Sequence, residues 1–172
     1  MHQEIEKKIR FLFPKYKPAS YSRFSKFFKE IANIDKSFSE IINDKIYNIN
    51  ISEIKNGNEK RRSIFIRHIP SLLGPENFYD LLRSFTQKIN FFFIPGYISS
   101  QKKYMYAFVN VSNSKEIINI VTNLTKIKNN YEFYHGFDFR YIEIYFSKTQ
   151  GYRALQRKYK NEYPNDFLFH KF

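Results

Sequence analysis

The chain has 172 residues, enough for one domain with a real core and some flanking extension, and its 29 Lys and Arg against 16 Asp and Glu give a net charge of +13. Such a field attracts polyanions, nucleic acid or acidic lipid surfaces, and speaks to partners rather than to fold. The absence of Cys excludes disulfides, thiolate metal sites and Cys nucleophiles. The opening MHQEIEKKIRFLFPKYK holds only a three-residue apolar run and does not read as a secretory signal. The longest apolar stretch, residues 89–98, is too short to span a bilayer and contains Pro and Gly. An intracellular protein, nuclear or cytoplasmic, is expected.

Residues 1–60 carry a net +4 and residues 61–172 a net +9. An A/T-rich coding sequence yields Lys, Asn, Ile, Phe and Tyr without selection for function, so position must carry the argument. Phe24, Phe27, Phe28 and Ile31 repeat at helical spacing, as do Phe38, Ile41, Ile42 and Ile46 behind a Ser37–Glu40 capping pattern. YNINISEI (47–54) alternates like a strand, and KNGNEKRR (55–62), with its Asn-Gly turn signal, reads as a linker. Residues 1–60 are therefore expected to form an extension of two short amphipathic helices and a linker, and residues 61–172 the main domain.

From Ser63 the pattern sharpens. SIFIRHI is a strand, Glu76 to Lys88 an amphipathic helix, NFFFIP (90–95) a second strand and Tyr104–Val111 a third. SNSKEIINIVTNL follows as a helix capped by Ser112 or Ser114, and YIEIYFS (141–147) as a fourth strand. A closing helix is expected over 149–161. The order β-α-β-β-α-β predicts an α+β, ferredoxin-like sandwich: a four-stranded antiparallel sheet with two helices on one face and the other face open, plus a C-terminal helix and a partly helical N-terminal extension. On the third strand Met105, Ala107, Val109 and Val111 turn to the core, while Tyr104, Tyr106, Phe108 and Asn110 share the open side.

The first strand's IFIRHI (64–69) fits the hexamer of the RNA recognition motif (RRM), with Phe65 at the stacking position and His68 where Asn is usual. YMYAFVNV fits the octamer of that motif at Tyr106, Ala107, Phe108 and Val109, and departs from it at Tyr104, Met105 and Val111. HIPS, NFFFIP, YAFVNV and TQGYRALQRKYKN, in that order, resemble the C-terminal RRM of the Mei-two-like RNA-binding proteins, with its NIPN turn, FFYLP strand, GYAFIN strand and IQGKAAL helix start. The resemblance covers about residues 61–161 and does not reach 1–60. It implies binding of single-stranded RNA and a role in meiotic or developmental RNA regulation.

The expected RNA-binding set is Phe65, Tyr106 and Phe108 as stacking platforms, extended by Tyr104 and Asn110, with Arg67 beside Phe65 for a phosphate or a base. Lys102 and Lys103 would clamp the backbone from the loop before the third strand. Arg153, Arg157 and Lys160 form one stripe of the closing helix, and Tyr152, Leu155 and Tyr159 the neighbouring, docking stripe. Laid across the sheet, that helix would cover Phe65 and Phe108 and act as a gate. His2, His68, His135 and His170 have no metal-ligand spacing and no Gly-rich phosphate loop is present, so neither an enzyme, a metal nor a cofactor is expected. The alternative is a protein-interaction module on the same fold, whose sheet or helices bind a protein partner.

Overall fold

The computed structural model describes residues 44–95, 103–130 and 136–162, with side chains to residue 159. A short 3-10 turn, Lys45–Tyr47, precedes helix α1 (Ile51–Lys55). Strand β1 (Ser63–Pro70) runs through a second 3-10 turn, Ser71–Leu73, into α2 (Pro75–Phe85). Then come β2 (Ile89–Phe93), β3 (Tyr104–Val111), α3 (Glu116–Asn129), β4 (Glu143–Phe146) and α4 (Tyr152–Glu162). The strands form one sheet in the order β2-β3-β1-β4, with every neighbouring pair antiparallel. Strand order and connectivity are those of the ferredoxin-like sandwich shared by RNA recognition motifs. The expected helices 24–31 and 38–46 lie outside the described residues, apart from 44–46.

Period-two alternation sorts each strand between two faces. Ile64, Ile66 and Ile69 of β1, Phe92 of β2, Met105, Ala107, Val109 and Val111 of β3 and Phe146 of β4 join one core. Phe78, Tyr79, Leu81 and Leu82 of α2 and Ile117, Ile120 and Leu124 of α3 cover that core. Ile66 and Ile69 are three apart, yet both point inward. The register shift between them absorbs the odd residue, with His68 at φ 59. That left-handed backbone region tolerates Asn, Asp and His better than other side chains, which explains how His serves where the hexamer has Asn.

Three local expectations give way. YNINISEI is not a strand: Asn48 makes one isolated bridge to Tyr145, and the chain turns helical at Ile51. The Asn50 side chain accepts hydrogen bonds from the Ser52 and Glu53 N–H groups, and this local cap outweighs the alternation. The stretch 55–62 is anchored rather than free. Arg61 pairs with Glu59 at 2.6 Å, donates to the Ile46 carbonyl and lays its guanidinium 4.0 Å from the Phe146 ring centre. Helix α3 starts later than expected, and neither Ser112 nor Ser114 caps it; Asn113 Oδ1 instead accepts from the Lys115 N–H.

Ile54 of α1 is 0% exposed within the same core. Ile54→Ala should therefore lower unfolding free energy by about 2–5 kcal/mol, as a core truncation does. Chemical denaturation of the full chain measures it. A change within about 0.5 kcal/mol, typical of surface substitutions, would place α1 outside the cooperative unit.

Candidate nucleic-acid face

The sheet face turned away from α2 and α3 carries more rings than the sequence analysis assigned to it. Phe65 pairs with Phe108 across β1 and β3, Phe93 pairs with Phe108 across β2 and β3, and Tyr145 of β4 lies opposite Phe65. Ring centres are 5.3 Å apart for Phe65–Phe108, 5.8 Å for Phe65–Tyr106 and 6.3 Å for Tyr106–Phe108. The three predicted platforms do come together. Phe91 and Phe93 join them because Phe92 is the inward residue of FFF; once β2 is aligned with β3, the same alternation that found Phe108 finds these two as well.

The face is not bare. Phe65 is 1% exposed and Phe108 2%. Helix α4 lies over β2 and β3: Tyr159 stacks on Phe108 at 4.8 Å with 27° between planes, and on Phe93 at 4.7 Å and 33°. Tyr152 meets Phe91 edge-on at 6.4 Å. Such pairs lie within the centroid range of favourable ring contacts, each worth about 0.5–1.5 kcal/mol beyond area burial. Leu155 is buried too, while Arg153 and Arg157 stay exposed. The expected two-sided helix is present, and its apolar side rests on the sheet face that the sequence analysis left open.

Several predicted contacts are corrected accordingly. Phe65 and Phe108 are buried rings rather than open platforms, and Tyr106 is half-buried at the edge of the row. Asn110 is 0% exposed and spent internally, accepting from Ser63 Oγ at 2.6 Å and donating to Asn90 Oδ1 at 2.6 Å. Arg67 is held by Glu143 at 3.0 Å rather than waiting for a phosphate. Lys103 is exposed. Lys102 and the Lys160 side chain lie outside the described residues.

A polar latch fixes where α4 begins. Gln150 Oε1 accepts from the N–H groups of Arg62 and Ser63 at 3.1 and 2.9 Å, and its Nε2 donates to the Ser63 and Ser147 carbonyls at 2.8 and 2.6 Å. The Gly151 N–H donates to Ser63 Oγ at 2.8 Å, which continues the chain to Asn110. Gly151 sits at φ +90, where a side chain strains the backbone, although open space surrounds it. The Gln-Gly of TQGYRAL thus ends β4, bonds to the first residues of β1 and sends α4 back over the sheet.

At the far end of β1 and β3 a second aromatic group gathers. His68 and Tyr104 meet edge-on at 5.5 Å, and Tyr104 and Tyr141 at 6.2 Å. Three hydrogen bonds from Arg140, two from its guanidinium and one from its backbone N–H, hold the Asp138 carboxyl down to about 2. Burial, then the Glu143 charge, pushes the Tyr145 hydroxyl up. No group of three or more His, Asp or Glu is placed to hold a metal ion, and no helix is long and apolar enough to cross a membrane, among the described residues.

No family model and no curated protein matches the sequence. Solved structures do match, among them one described as "Pes4 RRM3 Structure". It is 19% identical and aligns over 54% of this chain and 99% of its own, with a TM-score of 0.35.

The latch has a measurable consequence. Gln150→Ala removes four hydrogen bonds and leaves strand-end N–H groups short of a partner, a loss of about 2–4 kcal/mol. Proteolysis of the native variant should cut within α4 faster than in the parent chain while β1 and β3 stay protected. Equal cleavage rates would mean that the ring contacts alone hold the helix.

Proposed function

We propose that this chain binds single-stranded RNA through its RRM-like sheet face, and that α4 is a displaceable cover over that face. The observation that carries the reading is the Tyr159 ring resting on Phe108 and Phe93, inclined to them by 27° and 33°. A ring from the chain itself rests where, in this reading, a nucleobase would stack. The stacking residues are Phe65, Tyr106 and Phe108, with Phe93 added from the structure.

Magnitudes favour exchange over permanent closure. Tyr159 gives up two ring contacts of about 0.5–1.5 kcal/mol each on leaving, besides its buried area. Each base stacked in its place returns about 1–3 kcal/mol. A short run of bases is enough to compete, and affinity in the free chain is lowered by the small fraction in which α4 stands open. The exposed Arg153 and Arg157 then lie on a helix that moves with the strand, and the +13 charge supplies the long-range attraction. The likeness of HIPS, NFFFIP, YAFVNV and TQGYRAL to the Mei-two-like RRM supports the same reading and suggests regulation of transcripts in meiosis or development.

Tyr159→Ala should tighten binding of short single-stranded RNA several-fold, and Tyr106→Ala should weaken it about tenfold. Fluorescence anisotropy with labelled RNA at low and moderate salt measures both, and the affinity should fall with salt as phosphate contacts release counterions. Affinities that neither substitution changes would remove the sheet face from RNA binding and favour a protein partner.

A further inference from the structure

Helix α4 lies on the Phe91, Phe93 and Phe108 rings, and a second ring group stands at the His68 end of β1 and the Tyr104 end of β3. Tyr141 is 51% exposed, the only aromatic residue among the large exposed hydrophobics of the described residues. It stands at the end of a contiguous set: His68 touches Tyr104, Tyr104 touches Tyr141, and His68 Nδ1 lies 2.9 Å from the Tyr141 carbonyl oxygen. The Lys103 ammonium is 5.2 Å from the Tyr104 ring centre and the Arg140 guanidinium 5.6 Å from that of Tyr141. These rings contact one another.

The position is held stiffly. His68 sits on the β1 bulge, Tyr104 is the first residue of β3, and the Lys103 carbonyl accepts from the Ser71 N–H at 3.0 Å. Tyr141 follows Arg140, which is tied to Asp138 at 2.8 Å. Among the described residues, three cations, Lys103, Arg67 and Arg140, lie at this corner with two carboxylates, Glu143 and Asp138. Each carboxylate is engaged by an arginine, so the local balance stays positive. An exposed ring backed by half-buried ones, interleaved with cations and fixed near strand ends, is what an unstacked base and its phosphate require.

We propose that the Lys103–Tyr104–Tyr141–Arg140 corner is a second single-stranded RNA contact, open while α4 is closed, where the strand lodges before it displaces Tyr159. Tyr141 offers the stacking ring, Tyr104 and His68 support it from the side, and Lys103 and Arg140 face the backbone. Tyr104 lies two residues from Tyr106 on β3, so a strand seated at the corner leads directly onto the covered row. This inference rests on the RNA-binding reading above and assigns it a point of entry.

The test uses the full chain and labelled single-stranded RNA, with Tyr141→Ala made alone and together with Tyr159→Ala, and Tyr141→Phe as the ring-preserving control. Tyr141 lies outside the core, so the variants keep their fold, which thermal melting checks. The expected result is about tenfold weaker binding for Tyr141→Ala with α4 in place, parental affinity for Tyr141→Phe, and a smaller loss when Tyr159→Ala has already opened the face. Parental affinity for Tyr141→Ala beside tighter binding by Tyr159→Ala would overturn the corner and leave the sheet-face reading standing. Absence of RNA binding by the parent chain and by Tyr159→Ala alike would overturn both. A shift toward monomer in sedimentation for Tyr141→Ala, with RNA affinity unchanged, would assign the corner to a second copy of this chain and overturn its RNA role.

Discussion

The contact between Tyr159 and the Phe108–Phe93 pair decides what the rest of the molecule can do. A four-stranded sheet with both helices on one side leaves a broad aromatic surface with nothing to bury it. Water is a poor neighbour for Phe65, Phe91, Phe93 and Phe108 together; all four are buried, and α4 lays Tyr152 and Tyr159 on Phe91, Phe93 and Phe108. The same rings that suit a stacked base therefore suit the protein's own tyrosine. In the proposed function, occupation by self and occupation by RNA are alternatives on one surface, and their difference in free energy sets the affinity.

The cover is tethered rather than merely adsorbed. Gln150 and Gly151 bond into the beginning of β1, and Ser63 carries that connection to Asn110 and Asn90 beneath. A helix hinged at one end by hydrogen bonds and held along its length by ring contacts has a natural way to open. In the proposed exchange the rings separate while the hinge stays bonded, and the docking stripe returns without a search. The corner at Tyr141 lies at the other end of the β1–β3 ladder, so the proposed points of entry and exchange are joined by two strands of the same sheet.

The fold was legible because alternation along β1 and β3 and the helical stripes of α2 and α3 all demand one core. Tyr104–Val111 occurs with the bounds that its pattern predicts. Local cap chemistry was harder to weigh: Asn50 with Glu53 three residues on is a helix-start signal, and it lost to an apparent alternation in YNINISEI. The grouping of Phe65, Tyr106 and Phe108 was readable; their burial was not decided, because Tyr152, Leu155 and Tyr159 fit a stripe on either side of the sheet. Asn110 and Arg67 were misjudged for a shared reason. Alternation gives the face of a polar side chain and says nothing of Ser63, Asn90 or Glu143, distant in sequence, which take up its hydrogen bonds. Tyr141 was passed over because it stood at the edge of a strand pattern, where periodicity carries least information.

Hydrogen exchange of the α4 backbone, measured with and without saturating single-stranded RNA, addresses the displaceable cover most directly. The account predicts that amides around Leu155 to Tyr159 lose protection when RNA is bound while β1 and β3 keep or gain it. RNA bound tightly with α4 protection undiminished would contradict it, for the bases would then rest somewhere other than on Phe108.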